Sequence, residues 1–297
     1  MKHSNLLFLL LFWVTLLAHL SAYSQEKREE SDWTYVDHEF PENSTIKWVQ
    51  IENLFGSVEV TAYEGKKVRV DIEKRVRFSN WDQYDSAQVT VELVTRKTTD
   101  SLIFYVDAPF LQKQFWYGRI NYQVQSLPGD YKVTFHFHIE LPHGVQLVAS
   151  TLGEGDVQVK GLNAQEIHLN NVNGNIQFEG VSGKTTAQTV QGNITGSFSK
   201  NPFGKSYFKT TKGNIQLSFQ ENLSAYFNFI ADKGTLTSEF EFASAGREAS
   251  KDIISKNGHV TYQLKKREKI KVGKGGFEYQ VETGEGNIIL KKGKLKK

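Results

Sequence analysis

From Thr45 onward the chain alternates apolar and polar residues with a period of two. Val58-Glu59-Val60-Thr61, Val68-Arg69-Val70-Asp71-Ile72, Val89-Thr90-Val91-Glu92-Leu93 and the run from Val133 to Leu141 all follow it. β-Branched and aromatic residues are enriched there, as half-buried strands require. Helical periodicity is scarce. Residues 240–256 read as a short helix or an irregular excursion, and the charged segment before Phe40 as a mobile lead-in. The pattern predicts an all-β fold.

The second half repeats itself. A glycine, a polar residue and an aliphatic residue recur as Gly155-Asp156-Val157, Gly174-Asn175-Ile176, Gly192-Asn193-Ile194, Gly213-Asn214-Ile215, Gly234-Thr235-Leu236, Gly258-His259-Val260 and Gly286-Asn287-Ile288. Glycine and asparagine tolerate positive φ, so each triplet suits a tight turn from which the next aliphatic side chain enters a core. Stacked copies would set glycine over glycine, asparagine over asparagine and aliphatic over aliphatic. Such stacking builds a β-solenoid, or β-helix-like, repeat domain in which neighbouring units jointly bury what one cannot. An antiparallel β-sandwich with similar hairpins is the alternative, and the near-identity of the triplets favours the solenoid. The expected organisation is a signal peptide over 1–24, a lead-in over 25–44, a β region with an aromatic insertion over 45–150, and solenoid repeats with a basic tail over 151–297.

The amino terminus carries Lys2 and His3, an apolar stretch from Leu6 to Leu20 and the small-x-small sequence Ala22-Tyr23-Ser24. This reads as a cleaved secretory signal, its apolar part being shorter than the roughly 20 residues that span a bilayer. The chain is therefore expected in the periplasm, on the outer-membrane surface or secreted. Cysteine is absent, which removes disulfides, thiolate metal sites and thiol nucleophiles together. A net charge of +3 is too balanced for a nucleic-acid binder, so no such partner is expected.

With the repeats in hand, the sequence resembles the bacterial putative-adhesin family of repetitive β-domains, exported domains of unknown function common in Bacteroidota. The resemblance rests on the strand Val133 to Leu141, the turn Pro142-His143-Gly144-Val145, the segment Val148-Ala149-Ser150-Thr151, and the glycine turns from Gly155 on. Phe55-Gly56-Ser57-Val58-Glu59-Val60 is similar to the family's opening repeat. The resemblance spans about residues 45 to 295 and implies a solenoid-like fold, an envelope location and no established chemistry. The aromatic stretch between Thr95 and Tyr131 departs from a compact member.

Chemistry is sparse. No nucleophile elbow, zinc-protease helix or phosphate-binding loop occurs. His136, His138 and Glu140 share one strand face by their spacing and form a candidate metal set, although most such faces are simply solvated. Calcium-dependent lyase chemistry would need clustered acids, whereas Asp156 is the one acid among the turn positions and asparagines stack without repulsion. Gly155, Gly174, Asn175, Gly192, Asn193, Gly213, Asn214, Gly286 and Asn287 are therefore assigned to structural turns. Phe115, Trp116, Tyr117 and Arg119 form the candidate ligand site, because adjacent aromatics on a strand cannot all point inward. Neighbouring Phe104, Phe110 and Tyr122 extend it, and capping of the solenoid end is the competing role. The lysines from Lys291 to Lys297 could touch an anionic membrane, and Ser86 and Ser101 lie in short matches to a Bacteroidota O-glycosylation sequence. The sequence thus predicts an exported, non-catalytic binding or structural module of the cell envelope, with no cofactor and a protein or glycan surface as partner. The alternatives are a glycan-processing β-helix enzyme and a periplasmic partner of an envelope-stress regulator.

Overall fold

The computed structural model describes residues 27–44, 47–116, 119–244, 254–256, 259–263 and 268–293, so the expected signal peptide lies outside the described residues. In chain order, β1 (Arg28–Glu39) and β2 (Trp48–Asn53) lead into β3 (Val58–Tyr63), β4 (Lys67–Phe78) and a helix, α1 (Trp81–Thr90). Next come β5 (Glu92–Lys97), β6 (Ser101–Asp107), the hairpin β7 (Leu111–Trp116) and β8 (Arg119–Val124), and β9 (Lys132–Pro142). The repeats supply β10 (Gln146–Glu154), β11 (Val157–Lys160), β12 (Asn163–Asn173), β13 (Ile176–Gln191), β14 (Ile194–Phe198), β15 (Ser206–Lys212) and β16 (Ile215–Phe219). The chain closes with β17 (Ala225–Lys233), β18 (Thr235–Ser238), β19 (Phe242–Ser244), β20 (Ile254–Lys256), β21 (His259–Gln263), β22 (Glu268–Val272), β23 (Phe277–Glu285) and β24 (Ile288–Lys292).

These strands form a β-solenoid of two sheets, and the chain passes from one sheet to the other at the glycine turns. In the first sheet β9, β3, β11, the start of β13, β14, β16, β24 and β18 pair in parallel succession. In the second, β6, β2, β10, β12, the end of β13, β15, β23 and β17 do the same. Parallel pairing throughout the coils excludes the antiparallel sandwich. The register aligns Val58, Val157, Ile176, Ile194, Ile215, Ile288 and Leu236 in one column, and each is 0% exposed. Burying such a side chain contributes about 1.5–3 kcal/mol, so this column is a main source of cohesion between coils. An aromatic cluster continues the core, with Phe219 stacked on Phe198 at 5.0 Å and on Tyr279 at 5.6 Å.

Spatial order departs from sequence order twice. The coil β6–β9 lies outside β2–β3, and β23–β24 is inserted between β15–β16 and β17–β18. Ala225 at the start of β17 faces Val272 of β22 on one side and Phe277 of β23 on the other. The link from Gly273 to Gly276 therefore crosses over the start of β17, and Lys274 N–H donates to Ser224 Oγ at 3.0 Å.

Several expectations change. Residues 28–39 are a strand paired with β4 along its whole length, not a lead-in, because β4 offers an open edge. Val89 and Thr90 end a helix instead of opening a strand. Asn80 and Gln83 cap its first turn reciprocally, and this local capping box prevails over the short period-two run. The expected division after Ser150 falls inside β10, and β2–β3 is already a coil of the stack. In residues 240–256 the described parts are a bend at Phe240, Glu241, and the short strands β19 and β20. Gly258 lies outside the described residues, and Val260 pairs antiparallel with Ser238, so that triplet is not a rung of the parallel stack.

Candidate functional site

The glycine turns form a column held by two side-chain ladders. Asn193 N–H donates to Asn175 Oδ1 at 3.0 Å, Asn214 N–H to Asn193 Oδ1 at 2.8 Å, and Asn287 N–H to Asn214 Oδ1 at 2.8 Å. Asp156 Oδ1 begins this series by accepting from Asn175 N–H at 2.7 Å, and Thr235 N–H ends it on Asn287 Oδ1 at 3.0 Å. One side-chain oxygen per coil thus satisfies a turn amide that the strand ladders cannot reach. A second ladder runs on the core side. Thr189, Thr210 and Thr283 donate their hydroxyls to the carbonyls of Gly174, Gly192 and Gly213, and Asn171 Nδ2 donates to Gly155. Sequence reading missed this series. Its signal was present, since threonine or asparagine stands three residues before Gly56, Gly174, Gly192, Gly213 and Gly286.

His136 makes the equivalent contact two coils before Asp156, where the first ladder begins. Its Nδ1 lies 3.0 Å from Ser57 Oγ and accepts Ser57 N–H at 3.3 Å, the position that aspartate or asparagine fills in later coils. Burial holds the imidazole below its usual range, and the Arg75 guanidinium adds to the effect. His138 lies beside Glu59 at 3.6 Å and against the Trp33 ring, while Glu140 accepts from Arg69 at 2.8 Å. The three share the outer face of β9 but turn to different partners. Among the described residues no group of three or more His, Asp or Glu side chains could hold a metal ion.

In the aromatic stretch, Phe115 stands opposite Ile120 and Trp116 opposite Arg119 in the backbone register of the β7–β8 hairpin. The side chains of Phe115, Trp116 and Arg119, and Tyr117 as a whole, lie outside the described residues. Phe104 is core. The Tyr122 hydroxyl accepts Val106 N–H at 2.9 Å and lies 3.1 Å from the Glu52 carbonyl, which ties the hairpin to the second sheet. Burial pushes its phenol far up, so it stays protonated. Ser86 lies on α1 with its hydroxyl on the Asp82 carbonyl, and Ser101 opens β6. Lys291 and Lys292 end β24, and Lys294, Lys296 and Lys297 lie outside the described residues.

Beside the first rungs of the column is a cavity of about 340 Å³ that no single stretch of sequence announces. Leu54 and Phe55 precede Gly56, Phe78 ends β4, Val91 follows α1, Val106 belongs to β6, and Phe135 belongs to β9; together they give it an apolar floor. Lys27, Arg77, Lys132, Asp130 and Glu154 are also in its lining. Arg77 is paired with Glu29 at 3.0 Å and Lys132 with Glu154.

The Toastrack DUF4097 family model matches residues 120–288, more than half of the chain. The chain belongs to the Toastrack family. Its match begins in β8 and ends at the first residue of β24, so the Toastrack model takes in six of the aligned glycine turns and leaves out the one at Gly56. Two solved structures align with this Toastrack chain. One is a putative cell adhesion protein from Clostridium sporogenes, 13% identical, with a TM-score of 0.39, covering 90% of this chain and 100% of its own. The other is a putative adhesin from Bacteroides fragilis, 11% identical, with a TM-score of 0.35, covering 87% of this chain and 97% of its own. No curated protein matches. No helix among the described residues is long and apolar enough to cross a membrane.

Proposed function

We propose that the chain is an exported, non-catalytic, adhesin-like binding module of the bacterial cell envelope. One observation carries this reading: in the lining of the cavity beside the turn column, the partly exposed Arg77 and Lys132 are held by carboxylates while the floor is apolar. A catalytic site needs an acid, base or nucleophile aimed at a bound substrate, and this arrangement suits retention of a ligand instead. The ladders support the same reading, because they spend the polar groups of the turns on rigidity between coils. The test is to pass purified full chain over arrays of glycans and matrix proteins and to incubate it with a panel of envelope polysaccharides. Saturable retention without product is expected. Turnover of any polysaccharide, abolished by changing a polar cluster of this chain, would replace the proposal with an enzyme. Fractionation of cells, with protease treatment of intact cells, checks the envelope location.

A further inference from the structure

We infer that the cavity is a binding site for a single-chain amphiphile bearing one negative charge, of the medium-chain carboxylate type. The inference rests on the binding-module reading and names the ligand class of its cavity. Size comes first. At about 30 Å³ for each water-sized group, a space of about 340 Å³ holds roughly ten non-hydrogen atoms, enough for a medium-length alkyl tail.

The wall chemistry sets the rest. Leu54, Phe78, Val106 and Phe135 are core residues in its wall, and the partly buried Phe55 and Phe110 with the exposed Leu127 present the apolar surface that a tail would meet. Such a floor recovers apolar contact from a tail. The lining holds the cationic side chains Lys27, Arg77 and Lys132 and the acids Asp130 and Glu154; Glu29 offsets Arg77 from beside the lining, so the preference for an anionic head over a cationic one is assigned to Lys132. The Lys132 ammonium sits 5.1 Å from the Phe55 ring centroid, at the boundary of apolar floor and solvent, where the head of a buried tail would emerge. Its present partner Glu154 is 79% exposed in its side chain. A ligand carboxylate can therefore replace Glu154 on Lys132 while Glu154 turns to water at little cost.

Calorimetry of the full chain with decanoate, decanol and decyltrimethylammonium tests this directly. Decanoate should bind saturably, roughly tenfold or more tighter than decanol, as one charge-assisted contact implies, and the cation should bind least. Lys132→Met keeps an unbranched stem over Phe55 and removes the charge, so it should reduce decanoate to the affinity of decanol. Absence of saturable decanoate binding, or equal binding of anion and cation, overturns the inference. Photolysis of a diazirine-bearing decanoate on the unaltered chain avoids dependence on the variant's folding. Adducts on Phe55, Phe78, Phe110 or Phe135 are expected, and adducts confined to other regions refute the site. Failure here with retention on the arrays intact would sink only the ligand assignment. Loss of array retention would remove the broader reading.

Discussion

Gly192 lies over the carbonyl of Gly174, so close that a Cβ on Gly192 would stand 2.6 Å from the carbonyl carbon. The same relation links Gly213 to Gly192 and Gly286 to Gly213. Glycine is required here twice over, because Gly192 also has φ +155° and the space above it is backbone that cannot step aside.

Gly192→Ala should therefore destabilise the chain by more than the about 1–3 kcal/mol of a strained backbone alone. Gly180→Ala is the control. Gly180 has φ +63° but nothing within 4 Å of its would-be Cβ, so only the backbone penalty applies. Urea unfolding of both variants decides the matter, and equal losses would show that the column does not exclude side chains.

Asn193 gives its side-chain oxygen to Asn214 N–H while its own N–H goes to Asn175. Asn193→Ala removes one acceptor and should cost about 1 kcal/mol. Asn193→Asp keeps the acceptor, as Asp156 does at the head of the series, and should unfold near the unaltered chain at neutral pH. A rank order in thermal melts with aspartate below alanine would contradict the ladder.

Ala231 stands in register with Thr283, in the core-side series whose threonines cap glycine carbonyls. Ala231→Thr should extend that series to the Gly286 carbonyl and stabilise by up to about 1 kcal/mol. Thr283→Ala should destabilise by about 1–3 kcal/mol, since its methyl packing and its bond to Gly213 both go. Denaturation midpoints at constant m-value read both effects.

His136 predicts a pH dependence. Its folded imidazole is held below the ordinary value of 6.5, so the unfolded chain binds the proton more readily. Its contribution is undiminished above that value and is lost as pH falls below it. Glu73 and Arg75 of β4, Glu29 of β1 and His138 of the same strand set the local field, and His38, also depressed by burial, contributes in the same direction. The melting temperature should fall between about pH 7 and 5, and His136→Asn should flatten part of that slope. An unchanged slope would show that His136 does not titrate against folding.

Much of the fold could be read along the chain, and particular residues show where reading stopped. The triplets ending in Ile176, Ile194, Ile215 and Ile288 announced turns and a buried column because the turn and its next side chain are adjacent in sequence. The threonines three residues earlier were visible but had no evident partner, since each bonds a glycine of another coil. His136 and Glu140 share a face as their spacing required, yet Ser57, which precedes β3, and Arg69 of β4, which engage them, come from other segments. The cavity was illegible because Leu54, Val91 and Phe135 meet only when three separate segments are packed.

By itself the sequence determined the strand period, the glycine turns and the exclusion of thiol chemistry, all of which depend on residue type and near neighbours. Tertiary structure decided which coil stacks on which. The last coil, β23–β24, fills the space between two earlier ones, and Phe135 sets its carbonyl above Gly56 although the residues are far apart in the chain. Near-identical turns are compatible with many stacking orders, and only core packing and chain connectivity choose among them.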